Sequence, residues 1–191
     1  MIAGTKRIQL GDTMDMATGM GPLVSASQRD TVEKYVAIGS EQGAKCVAGG
    51  KRPSGMGKGY YYEPTIFDDV DNKMRIAQEE IFGPVVSVIR YKDEDEAVRI
   101  ANDSVYGLGG AVWSSNKERA VALAKRIETG TVWINDYHMI NLRFPFGGYK
   151  QSGVGRELGK WGLAEYHEMK HIHVGEDTPP EGKFYLQLLL N

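Results

Sequence analysis

The sequence has 191 residues, 41% of them hydrophobic and 25% charged, and 23 basic against 25 acidic side chains leave a net charge of -2. This length suffices for one domain with its own core, and the near-neutral balance, with a pI of about 6.1, argues against the basic face of a nucleic-acid binder. A single cysteine excludes an intramolecular disulfide framework and an all-cysteine zinc site.

The apolar cluster at 184–190 is far shorter than the ~18 residues that a membrane span needs, and residues 1–7 carry no apolar signal core. The reading is a cytoplasmic protein with no membrane or nucleic-acid partner. Glycine is the departure from ordinary composition, 24 of 191 residues, nearly twice the usual ~7%. The backbone therefore turns tightly or approaches something closely in many places.

In chain order, Ser27 is a candidate cap for a helix with Val32, Tyr35 and Val36 on one face and Gly43 as its stop. Residues 45–48 read as a short buried strand, and 49–59, with Pro53 and five glycines, as a surface loop. Residues 60–67 have strand composition, although Pro64 demotes the middle to an edge or bulge. A helical turn at 74–81 is broken by Gly83-Pro84, and β-branched 85–91 reads as a strand. Asp93 with Glu96 forms an N-cap signature ahead of Ala97, Val98, Ile100 and Ala101 in helical phase.

Residues 107–114 return as a strand. Asn116 then caps a helix with the stripe Ala120, Val121, Leu123, Ala124 and Ile127, which Gly130 ends. Residues 131–135 are another buried strand, 136–155 a glycine-rich loop, 156–166 a helical candidate and 168–174 an alternating strand. Strand and helix alternating at short spacing predict an α/β fold, an open and mostly parallel sheet flanked by helices.

Residue chemistry narrows the functions less. Cys46 sits in a predicted strand with no elbow or helix N-terminus to lower its pKa, so a plain buried cysteine is the better reading than a nucleophile. His171 and His173 share a strand face with His167 further along, but no carboxylate or cysteine at ligand spacing completes a metal site. His138 lies in the long loop. A hydrolase built on it stays open on residue types, yet no serine occupies a Gly-x-Ser-x-Gly elbow. No phosphate loop occurs. The pairs Gly107/Gly109 and Gly153/Gly155 begin a dinucleotide fingerprint that Val112 and Leu158 leave unfinished.

Two segments remain. In Gln78-Glu79-Glu80-Ile81-Phe82-Gly83-Pro84 a carboxylate precedes an aromatic by two residues, an arrangement able to accept hydrogen bonds from a sugar diol and present a ring face. The plainer reading, favoured on pattern alone, is a short helix ending with Phe82 in the core. Phe144-Pro145-Phe146-Gly147-Gly148-Tyr149-Lys150-Gln151-Ser152-Gly153 is a glycine-bent loop that either lines an apolar pocket or carries core on a tight turn.

With these motifs the chain resembles the aldehyde dehydrogenase superfamily. The likeness also runs through Met20-Gly21-Pro22-Leu23-Val24, Ala101-Asn102-Asp103, Tyr106-Gly107-Leu108, Gly130-Thr131-Val132-Trp133-Ile134-Asn135 and Gly155-Arg156-Glu157, in order, over about residues 8–174. Trp133-Ile134-Asn135-Asp136 and Lys170-His171-Ile172 resemble the betaine-aldehyde branch. The family oxidises aldehydes to acids with NAD(P)+ through a cysteine nucleophile, an oxyanion site and a water-activating glutamate. The resemblance implies that Glu80 binds the nicotinamide ribose and Phe82 packs beside the nicotinamide end, with Asp136, Ile140 and Phe146 lining the aldehyde tunnel. It implies a partial catalytic domain over 1–166, then an oligomerisation strand at 168–174 within a terminal segment 167–191.

The family's nucleophile, oxyanion asparagine, water-activating glutamate and nucleotide-binding domain have no counterpart in this sequence, and Cys46 does not match the nucleophile's position. The expectation is the C-terminal portion of an NAD(P)-dependent enzyme, without catalytic residues, metal or cofactor of its own and inactive alone. It would act as a homo-oligomer or with a complete relative, and take aldehyde only with the missing part. The alternative is a non-catalytic module that binds itself or a partner, with residues 175–191 as a docking arm.

Overall fold

The computed structural model describes residues 1–174, 179, 182 and 183, so the docking arm read from 175–191 lies outside the described residues. After one helical turn, α1 (Ile2–Thr5), the first long helix is α2 (Ala26–Glu41). Its cap is Ser25, not Ser27: the Ser25 hydroxyl accepts from the Gln28 N–H at 3.1 Å, while Ser27 lies inside the first turn. Gly43, at φ +96°, lets the chain leave the helix in a conformation closed to other residues.

The strands β1 (Lys45–Ala48), β2 (Thr65–Asp68) and β3 (Val85–Ser87) form one sheet with β2 in the middle, antiparallel to β1 and parallel to β3. Pro64 stands just before β2, where its missing N–H costs no ladder bond. The strand expected over 85–91 stops at Ser87. Asp69, at φ +55°, turns the partner chain aside, and beyond Ser87, among the described residues, only the Val88 backbone still bonds to it, donating to the Phe67 carbonyl at 2.9 Å and accepting from the Val70 N–H at 3.3 Å. The turn expected at 74–81 is shorter too, α3 (Arg75–Gln78). Phe67 and Val32 are fully buried, and with Val36, Tyr62, Val70, Ile76 and Ile81 they form the core between α2, α3 and this sheet. Burial pushes the Tyr62 phenol up to about 12.

The second half begins with α4 (Glu94–Asn102), capped by Asp93 through the Glu96 N–H at 2.8 Å, while the Glu96 carboxylate reaches back to the Lys92 N–H at 2.9 Å. The single strand expected at 107–114 is two. The first, β4 (Tyr106–Gly107), pairs antiparallel with β7 (Tyr149–Lys150). The second, β5 (Gly109–Val112), pairs parallel with β6 (Thr131–Ile134) across α5 (Lys117–Ala124). The chain changes partner at Leu108. Asn116 caps α5 as expected, but the helix ends well before Gly130. There the Asn102 side chain donates to the Arg126 carbonyl at 2.8 Å and accepts from the Glu128 N–H at 2.9 Å, capturing the backbone from α4.

The last helix is α6 (Gly159–Ala164). The α/β class with parallel pairing holds, but among the described residues the one open sheet expected is divided into three small ones, and two of the four strand pairings are antiparallel. The strand expected at 168–174 is also absent as such. Those residues are exposed and join no ladder, because a strand needs a partner edge and the described residues present none there. Of the second half's apolar side chains only Ala120 is fully buried among the described residues, so the β5–β6 layer is half-covered.

Candidate functional site

The segment 79–83 leaves α3 in extended conformation and is held from α2 at three points. The Tyr35 hydroxyl donates to Glu79 Oε2 at 2.6 Å, and Arg75 grips the same carboxylate with two bonds of 2.7 Å. The Gln28 amide donates to the carbonyls of Ile81 and Phe82 at 2.9 and 3.0 Å. Between these ties a Cβ on Gly83 would lie 2.3 Å from Val32 Cγ2, so only glycine allows the turn to press on α2. Phe82, at φ +52°, adopts the left-handed region that a bulky side chain rarely takes. Its ring is 77% exposed, which corrects the plainer expectation of Phe82 as core.

Arginine and tyrosine hydrogen bonds, the arginine the stronger influence, lower the Glu79 carboxyl to about 2. A carboxyl depressed in the folded state stabilises fully above its ordinary pKa near 4.5 and loses that contribution as pH falls towards 2. Glu79→Gln is therefore expected to be less stable than the parent at neutral pH, the gap closing between pH 4.5 and 2 in parallel urea titrations. A gap that does not change with pH would sink the assignment.

Glu80 is placed differently. It is exposed, makes no side-chain hydrogen bond among the described residues, and borders a cleft of about 490 Å³ with Ser104, Tyr106, Leu108, Gln151 and Ser152. Phe146 is half-buried, and its backbone exchanges hydrogen bonds with Glu157 at 2.8 and 2.7 Å. It lines a second cleft of about 620 Å³ with Gly147, Gly155, Glu165 and Tyr166. The two clefts share Leu108 and Ser152, and the Ser152 hydroxyl accepts from the Gly107 N–H at 2.9 Å. Leu108 and Ser152, which flank the β4–β7 pair, are thus the common wall, and both volumes fall in the range of small-molecule sites.

Asp136 and Ile140 do not join Phe146 there. Both are exposed on the loop after β6, where Asp136 only accepts from the Tyr137 N–H at 2.7 Å and Ile140 is half-exposed. That loop is shaped by Trp133, which donates to the Met139 carbonyl at 2.8 Å and stacks with His138 at 6.1 Å between ring centres. His138 contacts the Trp133 and Tyr137 rings and bonds no serine or carboxylate among the described residues, so a hydrolytic triad finds no geometry here.

Cys46 differs from expectation: it is an exposed residue of edge strand β1, not a buried one. Its sulfur nonetheless sits over Gly50, and local desolvation raises the thiol, the opposite of what a nucleophile needs. Among the described residues no three His, Cys, Asp or Glu side chains gather at metal-holding distance. Nor is any helix long and apolar enough to cross a membrane. The ties from Gln28, Arg75 and Glu79 escaped the sequence reading. Their one legible signal was Gln28 standing on the stripe of Val32 and Tyr35, at i, i+4 and i+7.

The model of the aldehyde dehydrogenase family matches residues 1–172. A betaine aldehyde dehydrogenase of Bacillus subtilis (strain 168) is 52% identical over 175 residues, 91% of this chain and 36% of the relative. A geranial dehydrogenase of Castellaniella defragrans is 53% identical over 165 residues, 86% of this chain and 34% of the relative. The crystal structure of a Staphylococcus aureus betaine aldehyde dehydrogenase point mutant in complex with NAD+ superposes with a TM-score of 0.87 at 48% identity. It covers 90% of this chain and 35% of that one. The chain therefore spans about a third of the length of the relatives it matches. With the match extending over nine-tenths of its residues, the chain belongs to the aldehyde dehydrogenase family.

Proposed function

We propose that this chain is the C-terminal portion of an NAD(P)-dependent aldehyde dehydrogenase acting on betaine aldehyde-like substrates, and that it turns nothing over alone. The observation that carries the reading is the 79–83 turn, in which Tyr35 and Arg75 engage the Glu79 carboxylate while Glu80 and Phe82 stay exposed. A free carboxylate beside a cleft and an exposed ring two residues on fit the ribose and the nicotinamide end of a dinucleotide. Bound cofactor would supply the hydride acceptor. Glu80 would accept hydrogen bonds from the ribose hydroxyls and fix the rotation of the sugar, and Phe82 would pack against the ring's end and exclude water. Phe146 would shape the aldehyde's approach across the wall shared with the Glu80 cleft. Asp136 and Ile140 belong to the substrate side in this reading, on a loop that the rest of the enzyme must fold inward. The half-covered β5–β6 layer supports a larger assembly in which that face is packed.

The test is a fusion of this chain to the N-terminal two-thirds of the Bacillus subtilis relative, assayed for NAD(P)+ reduction with betaine aldehyde beside the chain alone. Turnover by the fusion and none by the chain is expected. A folded fusion without turnover overturns the reading. In the active fusion, Phe146→Ala is expected to change the ratio of kcat/KM between a short and a bulky aldehyde by about tenfold. The KM for NAD+ should hardly move, and an equal effect on both would remove Phe146 from the substrate side.

A second reading, a non-catalytic self-associating module, is favoured by the run of exposed apolar residues Tyr166, Met169, Ile172 and Val174 at the end of the described chain. It requires a stable oligomer at micromolar concentration. A monomer by sedimentation velocity counts against it.

A further inference from the structure

We propose that Gln28, Val32 and Tyr35, one stripe of α2, are the positioning device for Glu80 and Phe82; the proposal rests on the reading of those two residues given above. None of the three faces the cleft that Glu80 borders. Each holds a different point of the same turn: Tyr35 the Glu79 carboxylate, Val32 the Gly83 backbone, and Gln28 the carbonyls of Ile81 and Phe82.

The two polar ties have separate tasks. Tyr35 and Arg75 occupy both oxygens of Glu79, so of two adjacent carboxylates one is spent on structure and the other is left for a ligand. Arg75 also lies over the Tyr35 ring, 5.6 Å from its centre, which stiffens the pair. Gln28 compensates the unusual backbone of Phe82. A residue at φ +52° keeps that conformation only where its surroundings over-determine it, and two donated bonds from one amide do so. Buried Ile81 lies between these ties and anchors the turn from below. Without Gln28, Phe82 relaxes towards negative φ and leaves the exposed position it holds two residues after Glu80. Orientation errors of this size matter, since about 1 Å of misplacement can cost a hundredfold in rate.

Amide hydrogen exchange of the chain itself tests the clamp without cofactor. Gln28→Met keeps the length and removes the donor, and Gln28→Lys restores a donor. Exchange of the Glu79 and Thr65 amides, which donate to the Arg75 and Pro84 carbonyls at the two ends of the turn, is expected to accelerate about tenfold in Gln28→Met and to return towards the parent rate in Gln28→Lys, with β5 and β6 unchanged. Unchanged exchange in Gln28→Met overturns the proposal, and so does uniform acceleration along the chain, which would report global stability alone. Tyr35→Phe, which loses only the bond to Glu79, gives an independent reading of the same segment.

In the fusion enzyme, Gln28→Met is expected to lower kcat about tenfold and leave the KM for NAD+ within about twofold. A silent Gln28→Met beside an impaired Glu80→Gln overturns the positioning role and leaves the reading of Glu80 intact. If both are silent, the reading falls and the proposal falls with it.

Discussion

Gly130→Ala is expected to lower the melting temperature by about 10 °C, corresponding to about 3 kcal/mol in a chain of this size. A Cβ at this position would lie 1.7 Å from the carbonyl oxygen of Gly147 and 2.8 Å from its carbon. Both obstacles are backbone, so no rotamer change relieves them. The chain after α5 and the loop carrying Phe146 have to move apart. The Gly130 N–H also donates to the Gly107 carbonyl at 3.0 Å, so the displacement loosens the β4–β7 pair flanked by Leu108 and Ser152, the wall between the two clefts. Gly57→Ala is the control: a Cβ there meets nothing within 4 Å, and its effect is expected within about 0.5 kcal/mol. Thermal melts of the three proteins decide the matter, and a Gly130→Ala transition within about 2 °C of the parent would contradict the packing argument.

Glu80→Gln, placed in the fusion enzyme, is expected to reduce kcat between tenfold and a hundredfold, roughly the range that lost orientation of a bound reactant can produce. The side chain keeps its size and still accepts through its carbonyl, but it loses one charge-assisted acceptor for a diol. Because Glu80 is exposed and makes no side-chain hydrogen bond among the described residues, its removal should leave the melting temperature unchanged. Stopped-flow measurement of NAD(P)H formation separates a slowed hydride step from slowed product release. Kinetics identical to the parent would mean that Glu80 does not hold the cofactor. Glu79→Gln should behave in the opposite way, moving stability first, because its carboxylate is committed to Tyr35 and Arg75.

Local rules made much of the fold legible. Asp93 and Asn116 cap their helices as their side chains demand, whereas Pro64, read as the middle of an edge or bulged strand over 60–67, precedes a central strand that begins only at Thr65. Sheet organisation was not legible. The β-branched run after Pro84 has strand propensity over seven residues but pairs over three, because Asp69 turns its partner away. The run at 107–114 is uniform in composition yet serves two sheets, a choice made by Tyr149–Lys150 and Thr131–Ile134, which lie far along the chain. Ser25 and Ser27 are equal as caps in sequence, and only the Gln28 N–H distinguishes them.

The same division holds at the candidate site. The sequence by itself determined the ordered motifs, the residue types at Glu80, Phe82 and Phe146, and the family to which they point. These are written locally, in spacing and side-chain chemistry. Only the tertiary structure decided which of two neighbouring glutamates is free, that Phe82 faces outward, that Phe146 stands apart from Asp136 and Ile140, and that α2 holds the 79–83 turn. The physical reason is distance along the chain. Gln28 and Phe82 are 54 residues apart, Tyr35 and Glu79 are 44, and no local pattern encodes a hydrogen bond that exists only after the core between them has packed.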